Sequence, residues 1–115
     1  RENLLNDLVS SVKEATVVVT NPTHYAVALR YQKDSDPAPR VMAKGRGYKA
    51  LRIREIANEA NIPIIEDKPV ARALYAAVKV GKVVPITLYK AVARILAIVL
   101  KQQERMKNHR RAASS

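Results

Sequence analysis

This chain is organised around a segment in which an Asn-Pro bond separates two runs of strand-forming residues: Val17-Val18-Val19-Thr20-Asn21-Pro22-Thr23-His24-Tyr25. The β-branched run over residues 16 to 20 is typical of a buried strand. Large and small side chains then alternate over residues 25 to 31, which is the period of a second strand. Because asparagine and proline favour turns, the segment predicts two antiparallel strands joined by a short turn.

The Asn21-Pro22 bond has an unusual chemical option. In the common ageing reaction of asparagine the next backbone N–H attacks the side chain, but Pro22 carries no amide hydrogen. The side-chain nitrogen of Asn21 can instead attack the backbone carbonyl carbon of the same residue, close a five-membered succinimide and expel the nitrogen of Pro22. Proximity favours this attack, and a turn that twists the peptide bond makes the bond more reactive.

The roles of the next two residues stay open at this point. His24 can accept a proton near neutral pH or only hydrogen-bond the turn, and Thr23 can orient either group. An ordinary Asn-Pro turn between two strands is the plain alternative, and among unrelated proteins it is far more common than a self-cleaving bond.

Several other segments strengthen the chemical interpretation because they resemble one protein family. In chain order the segments are Asn21-Pro22-Thr23-His24, Tyr25-Ala26-Val27-Ala28-Leu29-Arg30-Tyr31, Ala38-Pro39, Val41-Met42-Ala43-Lys44-Gly45, Ile53-Arg54-Glu55-Ile56-Ala57, Ile62-Pro63-Ile64-Ile65-Glu66 and Ala71-Arg72-Ala73-Leu74-Tyr75. Over about residues 16 to 100 the chain resembles the cytoplasmic domain of the FlhB/YscU family of type III secretion export gates. The second and fourth segments are closer to the flagellar branch than to the injectisome branch.

The resemblance implies that the chain cuts itself between Asn21 and Pro22, with Thr23 and His24 completing the catalytic site. The reaction is a single autocatalytic turnover rather than multiple-turnover enzyme catalysis, and it needs no cofactor and no metal. The resemblance further implies that the cut switches export from rod- and hook-type proteins to filament-type proteins.

The resemblance also implies a substrate-binding patch and a set of partners. The patch comprises Ala38 and Pro39 in a loop and Ala93 and Leu96 on the last helix, although plain core packing is an alternative for the two helix residues. The expected partners are export substrates, their chaperones, other export-gate components and a hook-length ruler protein. The full protein is expected to be anchored in the inner membrane upstream of Arg1, with this domain in the cytoplasm.

The charge of the chain allows other partners. Formal net charge is +11, and six basic residues follow one another without an intervening acid: Arg40, Lys44, Arg46, Lys49, Arg52 and Arg54. Such a surface could meet nucleic acid, anionic lipid or acidic protein. We expect a solvated face beneath an anionic membrane and no nucleic-acid partner, because the aromatic stacking pattern of nucleic-acid-binding modules is missing.

Residue usage makes other site chemistries improbable. The chain has no cysteine, and its two histidines, His24 and His109, lack the acidic companions of a metal site. The glycine pair Gly45 and Gly47 lacks the third glycine and the Gly-Lys-Ser/Thr ending of a phosphate loop, so a turn into a helix is the better interpretation.

The whole pattern predicts one α/β domain of 115 residues, in which about four helices pack around a small mixed four-stranded sheet and the C-terminal helix is long. Residues 1 to 15 form a linker helix, residues 16 to 106 the self-cleaving domain, and residues 107 to 115 a basic flexible tail. The third and fourth strands, over residues 41 to 44 and 62 to 66, flank a helix and are therefore expected to form a parallel pair.

Two later helices carry recognisable end signals. Asp67 can cap a helix that has Pro69 in its first turn and that Gly81 stops. Pro85 opens the last helix.

Overall fold

Four short strands form one mixed sheet, and helices cover both of its faces in the computed structural model, which describes residues 4–22 and 24–114. The strands are β1 (Val17–Asn21), β2 (Tyr25–Arg30), β3 (Arg40–Arg46) and β4 (Ile64–Glu66). The helices are α1 (Leu4–Lys13), α2 (Tyr48–Glu59), α3 (Lys68–Ala77) and α4 (Tyr89–Ser114), the last preceded by a 3₁₀ turn at Ile86–Leu88. The predicted fold class is confirmed.

The strand order is β3-β2-β1-β4. β1 and β2 form the predicted antiparallel hairpin, in register from Val17 opposite Leu29 to Asn21 opposite Tyr25. The prediction that the third and fourth strands pair with each other was wrong. β3 instead pairs with the outer edge of β2, antiparallel to it. The edge of β1 that faces away from β2 is therefore free, and β4, which follows α2, pairs there in parallel.

The two faces of the sheet pack against different helices. Val17, Val19, Val27 and Leu29 face α3 and α4 and are fully buried with them. The opposite face presents small residues, among them Ala26 and Ala28, to α1 and α2. The alanines permit the close approach of a helix that the alternation of large and small residues predicted.

Helix α1 belongs to this second core. Val12 is fully buried there, and Leu8 and Val9 pack partly buried against the same cluster. The segment predicted as a linker helix therefore contributes apolar contacts to the domain, which stabilise a helix too short to persist alone.

Side-chain hydrogen bonds set both ends of α3, from the residue just before the helix at its start and from a distant lysine at its end. Asp67 caps its start by accepting a hydrogen bond from the Val70 backbone N–H at 3.2 Å, as predicted. Its end was predicted too late, since α3 stops at Ala77 rather than at Gly81. The Lys44 ammonium donates to the carbonyl oxygens of Tyr75 and Val78, at 2.8 and 3.0 Å. These hydrogen bonds satisfy carbonyl groups at the end of the helix, so that the helix can end before Gly81.

The remaining helix ends concern α2 and α4. Gly47 precedes α2 with a φ of 59°, a conformation that favours glycine, so the glycine pair does form a turn into a helix. Helix α4 continues to Ser114, so the segment predicted as a flexible tail is helical as far as the structure describes it. Within residues 4–22 and 24–114, no helix combines the length and apolar character needed to cross a membrane.

Candidate functional site

The Asn21-Pro22 bond lies in the tight turn between β1 and β2. The backbone carbonyl oxygen of Asn21 accepts a hydrogen bond from the backbone N–H of His24 at 2.9 Å. This bond closes a β-turn in which Asn21 is the first residue and Pro22 the second, the position that suits the fixed φ of proline. Thr23, the third predicted site residue after Asn21 and Pro22, lies outside the described residues.

The hydrogen bond from the His24 N–H is made to the same carbonyl group that the Asn21 side-chain nitrogen would attack in the predicted cleavage. An N–H aimed at a carbonyl oxygen draws electron density from its carbon and stabilises negative charge that develops on the oxygen during an attack. Sequence reasoning considered the His24 side chain and missed the His24 backbone N–H. The imidazole is exposed, and its ring centroid lies 6.2 Å from that of Tyr25.

Two contacts from the β3–α2 region hold the far side of the turn. The Arg54 guanidinium on α2 donates through Nη1 to the carbonyl oxygen of Pro22 at 3.1 Å. The carbonyl oxygen of His24 accepts a hydrogen bond from the Gly47 N–H at 3.2 Å. The turn is therefore fixed at Asn21, Pro22 and His24, and Arg54 is a site residue that sequence reasoning missed.

The near side of the turn is tied to α3. The backbone N–H of Asp67 donates to the carbonyl oxygen of Thr20 at 3.0 Å, immediately before Asn21. Asn21 also lines a groove with Lys68, Pro69 and other residues of α3. The Asn21-Pro22 bond thus lies between the N-termini of α2 and α3, whose preceding residues Gly47 and Asp67 donate backbone hydrogen bonds to the turn and to β1, respectively.

The four residues predicted to bind substrate come together elsewhere. Ala38, Pro39, Ala93 and Leu96 line one shallow groove of about 350 Å³. Its other walls are apolar or aromatic: Tyr31, Pro37, Tyr89, Ala97 and Leu100. The groove follows the last residue of β2 whereas the turn precedes the first, and a six-residue strand separates its ends by roughly 20 Å.

These four residues differ in exposure. Ala38 and Leu96 are buried, Pro39 is half-buried and Ala93 is exposed. Leu96 belongs to the core shared by α3, α4 and the sheet, and it also reaches the groove. Leu96 therefore packs in the core, as the alternative interpretation expected. A binding role for all four residues stays a prediction.

A buried carboxylate shapes the loop that carries this groove. The side chain of Asp36 is 1% exposed and accepts two hydrogen bonds from Arg30, at 3.0 and 3.1 Å. It also accepts the Gln32 backbone N–H at 2.9 Å and lies 3.7 Å from the Arg40 guanidinium. Asp36 therefore ties the end of β2 to the start of β3, just before Ala38.

The same contacts determine the protonation of Asp36. Its pKa is lowered chiefly by the hydrogen bond from Arg30, against an opposing effect of burial, with help from the Gln32 N–H and the charges of Arg30 and Arg40. The carboxylate is thus ionised at neutral pH. Nothing in the local sequence distinguishes Asp36 from Asp34 two residues earlier, because the distinction arises from the pairing of β2 with β3.

The protein is a small mixed α/β domain with an Asn-Pro turn at the end of β1, one of its two inner strands. Comparison with known proteins identifies the family. Residues 1–99 match the model of the FlhB HrpN YscU SpaS family. The chain belongs to that family.

Flagellar proteins are among the similar relatives. The chain is 53% identical over 92 residues to the flagellar biosynthetic protein FlhB of Yersinia enterocolitica, which covers 80% of this chain and 24% of that protein. It is 46% identical over 106 residues to FlhB of Aquifex aeolicus, covering 92% of this chain and 30% of that protein. The chain thus spans less than a third of the length of these relatives.

Solved structures share the fold. The cytoplasmic domain of FlhB from Shewanella putrefaciens superposes with a TM-score of 0.85 at 39% identity, covering 90% of this chain and 80% of that one. The C-terminal domain of EscU with an asparagine-to-alanine substitution gives a TM-score of 0.79 at 36% identity, covering 82% of this chain and 94% of that one. Another EscU structure carries a proline-to-alanine substitution at the next position.

Replacing Asp36 by asparagine should destabilise the domain by about 1–3 kcal/mol at pH 7, because a buried cluster of hydrogen bonds loses its charged acceptor. Since folding lowers the pKa of Asp36, the stabilisation is present above its ordinary value of 3.8 and is lost as the pH falls through the folded value. Urea unfolding from pH 7 to pH 3 should show the two proteins converging below about pH 4. Asp34→Asn, an exposed neighbour in the same loop, is the control. Equal stability of Asp36→Asn and wild type at pH 7 would contradict the prediction.

Proposed function

We propose that this chain is the cytoplasmic domain of a flagellar type III export component that cuts itself between Asn21 and Pro22 and thereby changes the class of exported protein. The observation that carries the proposal is the Asn21 carbonyl oxygen held by the His24 N–H at 2.9 Å in a proline turn. Family membership supports the export role and an inner-membrane anchor upstream. The curated relatives at 53% and 46% identity are flagellar proteins. The FlhB structure superposes with a TM-score of 0.85 at 39% identity against 0.79 at 36% for EscU, which favours the flagellar over the injectisome branch.

The cut follows from the atoms of the turn. The Asn21 side-chain nitrogen Nδ2 forms a bond to the Asn21 carbonyl carbon, and the His24 N–H stabilises the charge on the carbonyl oxygen. The bond from that carbon to the Pro22 nitrogen then breaks, and the nitrogen keeps the electron pair. Nδ2 loses one proton and the Pro22 nitrogen gains one, with the His24 imidazole or water as carrier. Water finally opens the succinimide to leave a carboxylate on residue 21.

The two pieces are expected to stay together. β1 pairs with β2 on one edge and with β4 on the other, and Val17, Val18 and Val19 are fully buried. These contacts do not depend on the peptide bond after Asn21. The cut therefore frees the turn while the sheet remains packed.

Cleavage should be seen by intact-mass measurement under denaturing conditions, which separates residues 1 to 21 from residues 22 to 115. Asn21→Ala should abolish it because the attacking nitrogen is removed, whereas Asn58→Ala, which removes an exposed carboxamide on α2, should cleave like wild type. Hydroxylamine should trap the succinimide on the first fragment as a hydroxamate. A wild-type chain that stays whole on prolonged incubation would falsify self-cleavage, and an untrappable carboxylate end would point to attack by water.

The substrate-binding role is proposed for the groove at the other end of β2. Its apolar and aromatic walls suit an apolar segment of an export substrate, and Asp36 fixes the loop that forms one side. The cut alters charge and shape at the turn only. We therefore assign binding of substrates to the groove and the change of export class to the turn.

Export in cells tests the change of class. A flagellated bacterium whose export component carries Asn21→Ala should secrete rod- and hook-type proteins and little filament protein, because the turn stays closed. The Asn58→Ala strain is the control and should secrete both classes. Secreted proteins are measured by immunoblot. Wild-type amounts of filament protein from the Asn21→Ala strain would separate cleavage from the export switch.

The groove is tested by Pro39→Asp. An added carboxylate on an apolar wall should weaken the binding of a peptide from a hook-type substrate by about tenfold, equivalent to roughly 1.4 kcal/mol. The backbone carbonyl of Pro39, which accepts the Val84 N–H at 2.7 Å, is retained, so circular dichroism should stay unchanged. Ile98→Asp places the same charge on α4 outside the groove and serves as the control. Unchanged peptide binding in Pro39→Asp would remove this loop from the docking site.

A further inference from the structure

The backbone of the turn between β1 and β2 is held at three described residues, and one of these supports is a side chain. The Asn21 carbonyl oxygen accepts the His24 N–H at 2.9 Å, and the His24 carbonyl oxygen accepts the Gly47 N–H at 3.2 Å. These two supports come from the backbone. The Pro22 carbonyl oxygen instead accepts a hydrogen bond from Nη1 of Arg54 at 3.1 Å. The shape of the turn at Pro22 therefore depends on the identity of a residue 32 positions away.

The helix that carries Arg54 is fixed against the sheet. Ala50, Ile53 and Ala57 are buried on one side of α2, in the core that this helix shares with α1 and with the small residues of the sheet. Arg54 directly follows Ile53 and is half-buried, so its side chain leaves the edge of the buried side. A close-packed helix cannot rotate without losing these apolar contacts. Helix α2 therefore presents the guanidinium at a fixed place beside the turn.

The hydrogen bond from Arg54 is of a strong kind. Its donor carries a positive charge, and such bonds are stronger than those between neutral groups. The contact is also partly buried, so water competes with it less than at the surface. Within residues 4–22 and 24–114 no salt bridge joins Arg54 to a carboxylate, whereas Arg52 on the same helix pairs with Glu55 at 3.2 Å. The two arginines thus differ in what they hold: Arg54 holds the turn, and Arg52 binds within its own helix.

The Pro22 carbonyl is the group that distinguishes the two common conformations of such a turn. β-turns of types I and II both accept proline at the second position, and they differ by a flip of the peptide plane that follows it. The oxygen of that plane is the Pro22 carbonyl oxygen, which points in opposite directions in the two types. A donor fixed on α2 reaches this oxygen in one of the two directions. The hydrogen bond from Arg54 therefore holds the turn in one conformation.

We propose that Arg54 is a positioning residue for the cut between Asn21 and Pro22, an inference that rests on the proposed self-cleavage. Its hydrogen bond goes to the Pro22 carbonyl oxygen and not to an atom whose bonds change in the reaction. Arg54 acts by keeping the turn in the conformation in which the His24 N–H meets the Asn21 carbonyl. A turn that is free to flip divides its time between conformations, and the rate of the cut falls with the fraction that is aligned.

The rate of the cut tests this role. Chains made in a short pulse of cell-free synthesis are quenched in denaturant at successive times, and intact mass gives the cut fraction. Arg54→Met removes the donor, keeps an unbranched stem and should slow the cut about tenfold, as loss of one charged hydrogen bond does. Arg54→Lys keeps a charged donor on a shorter stem and should stay within about threefold of wild type. Arg52→Met is the matched control and should cut at the wild-type rate, because Arg52 pairs with Glu55 instead.

Two further measurements separate positioning from other roles. The pH dependence of the rate should keep its shape in Arg54→Met, because a guanidinium stays charged at all working pH values and carries no proton in the reaction. In the uncut Asn21→Ala background, Arg54→Met should speed hydrogen exchange of the His24 amide about tenfold, as measured by NMR. The Val27 amide lies in the paired part of β2 and should keep its protection. General destabilisation of the domain would instead speed the exchange of both amides.

Several results would overturn the positioning role. They are a cut in Arg54→Met as fast as in wild type, equal slowing in Arg52→Met, a shifted pH profile, and His24 exchange that Arg54→Met leaves unchanged. If the Val27 amide also loses protection, Arg54→Gln, whose amide is too short to reach the Pro22 oxygen, is judged by the same criteria. A wild type that stays whole refutes the proposed self-cleavage itself. The His24 exchange in the Asn21→Ala background then still decides whether Arg54 holds the turn.

Discussion

The pairing of β1 with its neighbours is the constraint on which the rest of the structure depends. β1 has a strand on each edge and a helical layer on each face, and its three valines are fully buried. Burial of each such side chain stabilises the domain by about 1.5–3 kcal/mol. A strand held this firmly does not need its covalent link to β2. The proposed cut of the Asn21-Pro22 bond at the end of this strand would therefore leave the fold in place.

The hairpin also places the proposed cleavage turn and the proposed binding groove at opposite ends of β2. The turn with Asn21 and Pro22 lies at one end of β2, and the loop with Ala38 and Pro39 lies beyond the other end. Each end has its own support, because Arg54 and the Gly47 N–H hold the turn while Asp36 holds the loop. A change at the turn therefore reaches the apolar groove only through a rigid, fully paired strand. This arrangement favours local effects of the proposed cleavage over a rearrangement of the whole domain.

Local patterns in the sequence predicted the strands, the Asn-Pro turn and the Asp67 cap. Family resemblance, and not a local pattern, predicted that Ala38 and Leu96 lie together. Contacts between distant residues were not predictable in this way. Arg54 is 32 residues from Pro22, and its role arises because α2 packs across β2. The partner of β4 and the early end of α3 likewise depend on which sheet edge was free and on where Lys44 reached. Spacing along the chain carries no information about such contacts.

Proline at position 22 combines properties that are separable in principle. Its missing N–H closes the competing reaction of Asn21, and its fixed φ suits the second position of the turn that brings the His24 N–H to the Asn21 carbonyl. Its own carbonyl is the point at which Arg54 attaches the turn to α2. In the proposed cleavage, expulsion of this residue would therefore end the chemistry and remove the support of the turn in the same step. Because the residues proposed to react also form the turn that would activate them, the proposed reaction can proceed only once in each chain.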